Sequence, residues 1–263
     1  MTIYIATDLE GISGIYRWAQ SREMTTAEYE QARRYLMEDI DAVIEGCRRG
    51  GARKILVRDS HDGAHNIIPE LMNPHAEYIC GAAAGQPVFP ELEKCAAVIL
   101  LGYHAMAGTA DGLLAHTQSS ASGRRYFYNN RETGEIGQHA LMAGHHGIPV
   151  IMVSGDEATC REARDFLGRN LPTVAVKQGY ATEYARLLPF ATARKALSEQ
   201  AALALRNLAG CTPYVIDRPF TGRLVFPNKE LAEAHKPRSA ATKRTDETSY
   251  ERVFTDASDV LAF

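Results

Sequence analysis

The chain has 263 residues, 45% of them hydrophobic and 23% charged, with a formal net charge of -3; these are ordinary values for one large or two modest globular domains. That charge argues against a nucleic-acid partner, which needs a basic stripe to displace counterions. The longest apolar runs, such as AAVILLGY at 96–103, fall far short of the roughly 20 residues that cross a bilayer, so no membrane partner is expected. The N-terminus enters a strand pattern at once without a secretory signal. Five scattered cysteines (Cys47, Cys80, Cys95, Cys160, Cys211) form no C-x-x-C pair and read as free thiols of a reducing compartment, so the expected location is cytoplasmic. Cys47 and Cys80 lie in apolar patterns and read as packing residues.

In chain order, IYIATD is a strand and TTAEYEQARRYLMEDIDAVIEGCRRGG the clearest helix. Thr25 and Glu28 form its expected capping box. Tyr29, Ala32, Leu36, Ile40, Val43 and Cys47 recur at helical spacing on one face, and Gly50 with Gly51 ends it. Strand RKILVRD, a helical turn around PELM, strand AEYIC, a short helix near PELEKC and strand AAVILLGY follow. RRYFYNN and the turn RETGE precede a helix at about 136–146, then the near-continuous apolar strand IPVIMVSGD, helix EATCREARDFLGR and strand PTVAVKQ. A long helix spans Pro189 to Asn207; strands YVIDRPF and GRLVFP, a helix near NKELAEA and two polar strands complete the chain. The expected fold is α/β, a mostly parallel sheet flanked by helices with a smaller C-terminal α+β domain. A boundary in the 180–188 stretch gives a metal-binding catalytic domain at 1–185 and the smaller domain at 186–263.

Polar clusters follow the apolar strands. Asp8 and Glu10 sit two apart after the first strand, where an extended backbone puts both carboxylates on one face. His61 follows the second strand in RDSHDG, with Asp59, Ser60 and Asp62 beside it to orient the ring. His104 ends LLGYHA. Open α/β sheets bind ligands at this rim, and two carboxylates with imidazoles there describe a metal site, with zinc the expected ion. His116 lies past the small-residue loop AMAGTADGLLA, off the rim proper, and reads as catalytic rather than ligating. Glu135 opens a helix, where an acid also suits the dipole, and gains weight as a fifth ligand. His139, His145 and His146 lie on that helix and need no catalytic explanation.

Four motifs in order, DLEGISG at 8–14, DSH at 59–61, GYHA at 102–105 and GE at 134–135 before a helix and IPVIMVSGD, resemble the zinc-dependent D-aminopeptidases encoded in bacterial dipeptide-transport operons. The likeness covers most of 1–180 and is looser beyond. It implies two zinc ions per chain held by Asp8, Glu10, His61, His104 and Glu135, with Asp8 bridging, His116 at the catalytic position, and a homodecamer of two stacked pentamers. AHTQ around His116 departs from the SHS-like surroundings of that family. The expected function is aminopeptidase action on short peptides with an N-terminal D-amino acid such as D-Ala. Asp111 and Asp156 are weak candidates for holding the substrate amine. The alternatives are a two-metal phosphodiesterase or nuclease, against which three histidines and the lack of a basic groove count, and a non-catalytic metal- or ligand-binding module.

Overall fold

The computed structural model describes residues 1–83 and 85–263. Its core begins with β1 (Thr2–Thr7), which runs into α1 (Ala19–Arg22) and α2 (Ala27–Arg49) and then β2 (Lys54–Asp59), β3 (Glu77–Ile79) and β4 (Ala97–Leu101). β5 (Arg125–Tyr128) and β6 (Arg131–Glu132) come next, followed by α3 (Glu135–His145), β7 (Val150–Asp156), α4 (Glu157–Leu167), β8 (Thr173–Ala181) and β9 (Tyr184–Leu187). α5 (Phe190–Arg206), β10 (Phe220–Val225), α6 (Lys229–Ala234), β11 (Lys243–Arg244) and β12 (Ser249–Phe254) complete the order.

Seven strands form one sheet, β3-β2-β1-β4-β7-β8-β9, parallel except for the β8–β9 hairpin. The α/β expectation is met. Strand alternation in β1 feeds both faces: Ile3 and Ile5 join a core with α2 and α5, whereas Tyr4 and Ala6 join one with α3 and the second sheet. All six apolar positions anticipated on α2 are buried. Its cap is Thr26, whose Oγ1 accepts the Tyr29 N–H at 3.1 Å, one residue beyond the expected Thr25–Glu28 box; Glu28 instead pairs with Arg17 at 2.7 Å.

The second sheet, β11-β12-β10-β5-β6, is antiparallel and draws on both 125–132 and 220–254. α5 packs on α2 against the first sheet, so the two sheets divide the chain differently from a cut at 185. YVIDRPF is not a strand before Phe220, because Pro213 and Pro219 have no N–H to give a ladder. Cys80, expected to pack, is exposed, and all five cysteines are free. Among the described residues no helix is long and apolar enough to cross a membrane.

The strand order reverses between β1 and β4, the switch point at which open sheets leave a crevice. The loops leaving these two strands are tied together: Asp8 N–H donates to Leu101 O at 2.8 Å and Gly11 N–H to Gly102 O at 2.7 Å. The approach is so close that a Cβ on Gly11 would lie 1.9 Å from Tyr103 O, and Gly102 turns at φ +77, a conformation costly for other residues.

Candidate metal centre

Asp8, Glu10, His61 and His104 meet in this crevice, and Glu135 enters from the first turn of α3. Asp8 and Glu10 converge through a turn closed by Ile12 N–H to Leu9 O at 3.2 Å, not through strand alternation. His61 Nδ1 lies 3.0 Å from Asp8 Oδ1 and 3.1 Å from Glu10 Oε2. His104 Nε2 lies 3.3 Å from Asp8 Oδ2 and 3.4 Å from Glu135 Oε1. Asp8 thus stands between the two imidazoles, one oxygen toward each.

The far nitrogen of each ring fixes its tautomer, since a carbonyl can only accept. His61 Nε2–H donates to Ser21 O at 2.8 Å, His104 Nδ1–H to Ala105 O at 3.1 Å, and His116 Nδ1–H to Leu114 O at 2.9 Å. The neutral rings of His61 and His104 therefore aim lone pairs at carboxylate oxygens. That arrangement is repulsive unless a proton or a cation lies between them. Glu10 Oε2 and His104 Nε2 are buried without a hydrogen-bond partner, a cost that coordination would remove. Backbone carbonyls holding the outer N–H are the usual support for metal-bound imidazoles. For His61 that support is Ser21 and not its neighbours: Asp59 accepts from Asn66 N–H at 2.6 Å and shapes the loop.

Protonation follows the same field. Burial disfavours the charged forms throughout, yet Glu10 and Asp8 raise His61 well above 6.5, and Glu135 and Asp8 do the same for His104. Burial would likewise raise the two acids, but His104 and His61 hold Asp8 well below its usual range, and His104 pulls Glu135 down to about 2. The same negative field that favours protons on these rings would favour a divalent cation in their place. Asp8, Glu10 and His104 offer ligand atoms within 4.8 Å of one another, as do His104, His116 and Glu135; the two groups share His104. Mixed nitrogen and oxygen donors of this kind suit zinc.

His116 is closer to the centre than its sequence position suggested. Its ring stacks on His104, centroids 3.9 Å apart, and Nε2 faces Glu135 Oε1 at 4.0 Å. Burial, then the His104 charge, lowers its pKa, so it is neutral at pH 7 with Nε2 open. Trp18 meets the ring edge-on at 5.6 Å. A cavity of about 440 Å³ opens over Asp8, Glu10, His61, His116 and Glu135.

Two proposed amine partners are used elsewhere. Asp111 pairs with Arg161 at 2.7 Å on the surface, and buried Asp156 caps α4 through Thr159 N–H at 2.7 Å. His139 is buried, with Nδ1 2.6 Å from Tyr103 Oη. Sequence reasoning missed Lys177, whose Nζ donates to the carbonyls of Glu10, Ile12 and Ile15 at 2.6, 2.8 and 2.7 Å. Burial pulls its pKa down to about 7, while three carbonyls match the three N–H bonds of the ammonium and favour the charged form. With Asp39, which accepts the Ser13 N–H at 2.9 Å, it pins the loop carrying Glu10. Glu162 was also missed; buried, and pushed up to about 7 by burial, it accepts the Met106 N–H at 2.7 Å beside His104.

A parallel sheet with acids and imidazoles gathered at its switch point, under an open cavity, defines the class: an α/β protein with a candidate metal centre. Residues 1–263 match the D-aminopeptidase family, peptidase M55, and the chain belongs to it. It is 34% identical over 238 residues to a D-aminopeptidase of Bacillus subtilis (strain 168), covering 89% of this chain and 84% of the relative. It also superposes, with a TM-score of 0.88 and 27% identity over 99% of this chain and 94% of the other, on the Zn-dependent D-aminopeptidase DppA from Bacillus subtilis, a self-compartmentalizing protease.

Proposed function

We propose that this protein is a zinc aminopeptidase that removes an N-terminal D-amino acid, such as D-Ala, from short peptides. The observation that carries the reading is the facing of imidazole lone pairs and carboxylates around Asp8. Asp8, Glu10, His61, His104 and Glu135 would hold two zinc ions. Bound zinc supplies Lewis acidity toward a carbonyl oxygen and water activated near neutral pH.

The remaining work belongs to the chain. His116, neutral and fixed at Nδ1 by Leu114 O, takes the proton of the attacking water at its bare Nε2 and returns it to the leaving amine; only the imidazolium formed between these two transfers can also stabilise the oxyanion. Trp18 and the His104 ring hold it in plane. Gln118 N–H, donating to Glu135 Oε1 at 2.7 Å, keeps that carboxylate turned inward. We further propose a cytoplasmic homo-oligomer whose sites open into a shared compartment, a decamer by likeness to the family; free cysteines suit the reducing compartment.

The test is hydrolysis by zinc-loaded protein of D-Ala-D-Ala and L-Ala-L-Ala side by side, with free alanine as the readout. Release from the D-dipeptide at well above the L-rate is expected. Equal rates would overturn the stereochemical assignment, and no release from either would overturn the peptidase reading.

A further inference from the structure

The cavity over the metal ligands has one cationic feature that the chemistry so far leaves unused. Arg22 and Arg238 line it together with Asp8, Glu10, His61 and Glu135. They arrive from different layers: Arg22 ends α1 beside the first sheet, whereas Arg238 lies between α6 and β11 of the second, with its N–H donating to Phe263 O at 2.8 Å. Arg17, Arg33, Arg125 and Arg161 each pair with an acid. Among the described residues neither Arg22 nor Arg238 has a carboxylate within ion-pair distance, although their cavity is rich in acids.

Arg22 is also held in place. Its guanidinium stacks on Trp18, 3.4 Å from the ring centroid, and Nη2 donates to Ser120 O at 2.7 Å. Trp18 in turn meets the His116 ring. The guanidinium is therefore fixed relative to the proton-handling imidazole, with most of its donors unused. Arginine presents a planar fork that matches a carboxylate, and a cavity of about 440 Å³ is of the size that encloses small ligands. The cavity thus holds the acids and imidazoles together with two guanidinium-bearing residues.

Building on the aminopeptidase reading, we infer that Arg22 and Arg238 receive the C-terminal carboxylate of the substrate, so that the enzyme selects short peptides with a free carboxylate over their amides. The α-amine and scissile carbonyl then face the metal ligands and His116, and the carboxylate faces the arginines. Charge at the far end of a short peptide thereby sets which carbonyl comes to rest beside His116, a use of remote binding to position the reacting bond.

The experiment compares kcat/KM of the zinc-loaded enzyme for D-Ala-D-Ala and for D-Ala-D-Ala amide. The wild type is expected to favour the acid by about tenfold or more, the scale of a charge-assisted hydrogen bond. In the double variant Arg22→Gln/Arg238→Gln, with zinc content and melting temperature checked against wild type, that ratio should fall toward 1, with the loss for the acid expressed in kcat as well as KM, as lost positioning of the bond requires. Arg22→Lys/Arg238→Lys, which keeps the charge without the fork, should give an intermediate ratio. Equal turnover of acid and amide by the wild type, or a ratio unchanged in the glutamine variant, overturns this inference while leaving the peptidase reading intact. Hydrolysis of neither substrate overturns both.

Discussion

The two sheets are built from opposite materials. The rim of the parallel sheet concentrates buried acids and imidazoles, Asp8, Glu10, His61 and His104, and leaves Glu10 Oε2 and His104 Nε2 without a hydrogen-bond partner. The antiparallel sheet packs aromatic rings: Phe220 stacks on Phe254 at 5.4 Å, and Phe263 meets Phe254 at 5.3 Å and Tyr126 at 5.6 Å. One region stores electrostatic cost that only a bound cation or proton relieves; the other supplies apolar burial. The second sheet reaches the cavity chiefly through what it frames, the start of α3 with Glu135 and the segment bearing Arg238.

Removing charge at the rim should therefore abolish function with little loss of fold. Asp8→Asn, which keeps the shape but not the anion shared by His61 and His104, is expected to lose bound zinc and all measurable turnover while the metal-free protein still folds, with a melting temperature lowered only where those rings are protonated. Metal analysis beside calorimetry checks this, and a collapse in stability would break the contrast between the regions. Next in size, His116→Ala should retain zinc but lower kcat by about 10² to 10⁴. Loss of zinc along with turnover would move His116 into the ligand set with His104 and Glu135.

The opposite result is expected in the aromatic sheet. Phe254, 1% exposed, should cost about 3–5 kcal/mol of stability as Phe254→Ala, read by urea unfolding, with zinc per folded chain unchanged. A smaller effect comes from protons standing in for the metal. His61 and His104 are raised well above 6.5 in the metal-free fold. A raised folded value gives stability that is complete below the unfolded value and is lost as pH climbs through the folded one. Metal-free protein should thus lose stability from about pH 6 upward, while zinc, which displaces those protons, should stabilise more as pH rises. Melting curves with and without chelator across this range measure the gap; a gap independent of pH would contradict proton–metal exchange at these rings.

The parallel sheet was legible in the sequence because its strands are apolar runs and its helices carry a clear 3.6-residue face, as on α2. The pairing of β5 with β10 was not, since periodicity identifies a strand but not its partner nearly a hundred residues away. Asp8, His61 and His104 announced themselves as polar residues directly behind apolar strands. Lys177 and Glu162 did not, because a lysine in a strand and a glutamate on an amphipathic helix ordinarily face water. The lysine that directly follows the apolar run of strand PTVAVKQ was the available signal for the first.

The buried lone pairs around Asp8 and His104 are proposed to hold metal. Zinc content by plasma mass spectrometry, on protein purified without chelator, tests that role most directly: two ions per chain in wild type and a loss in both Asp8→Asn and His104→Ala are predicted. A wild-type chain without stoichiometric metal, or full zinc retained by both variants, would contradict it.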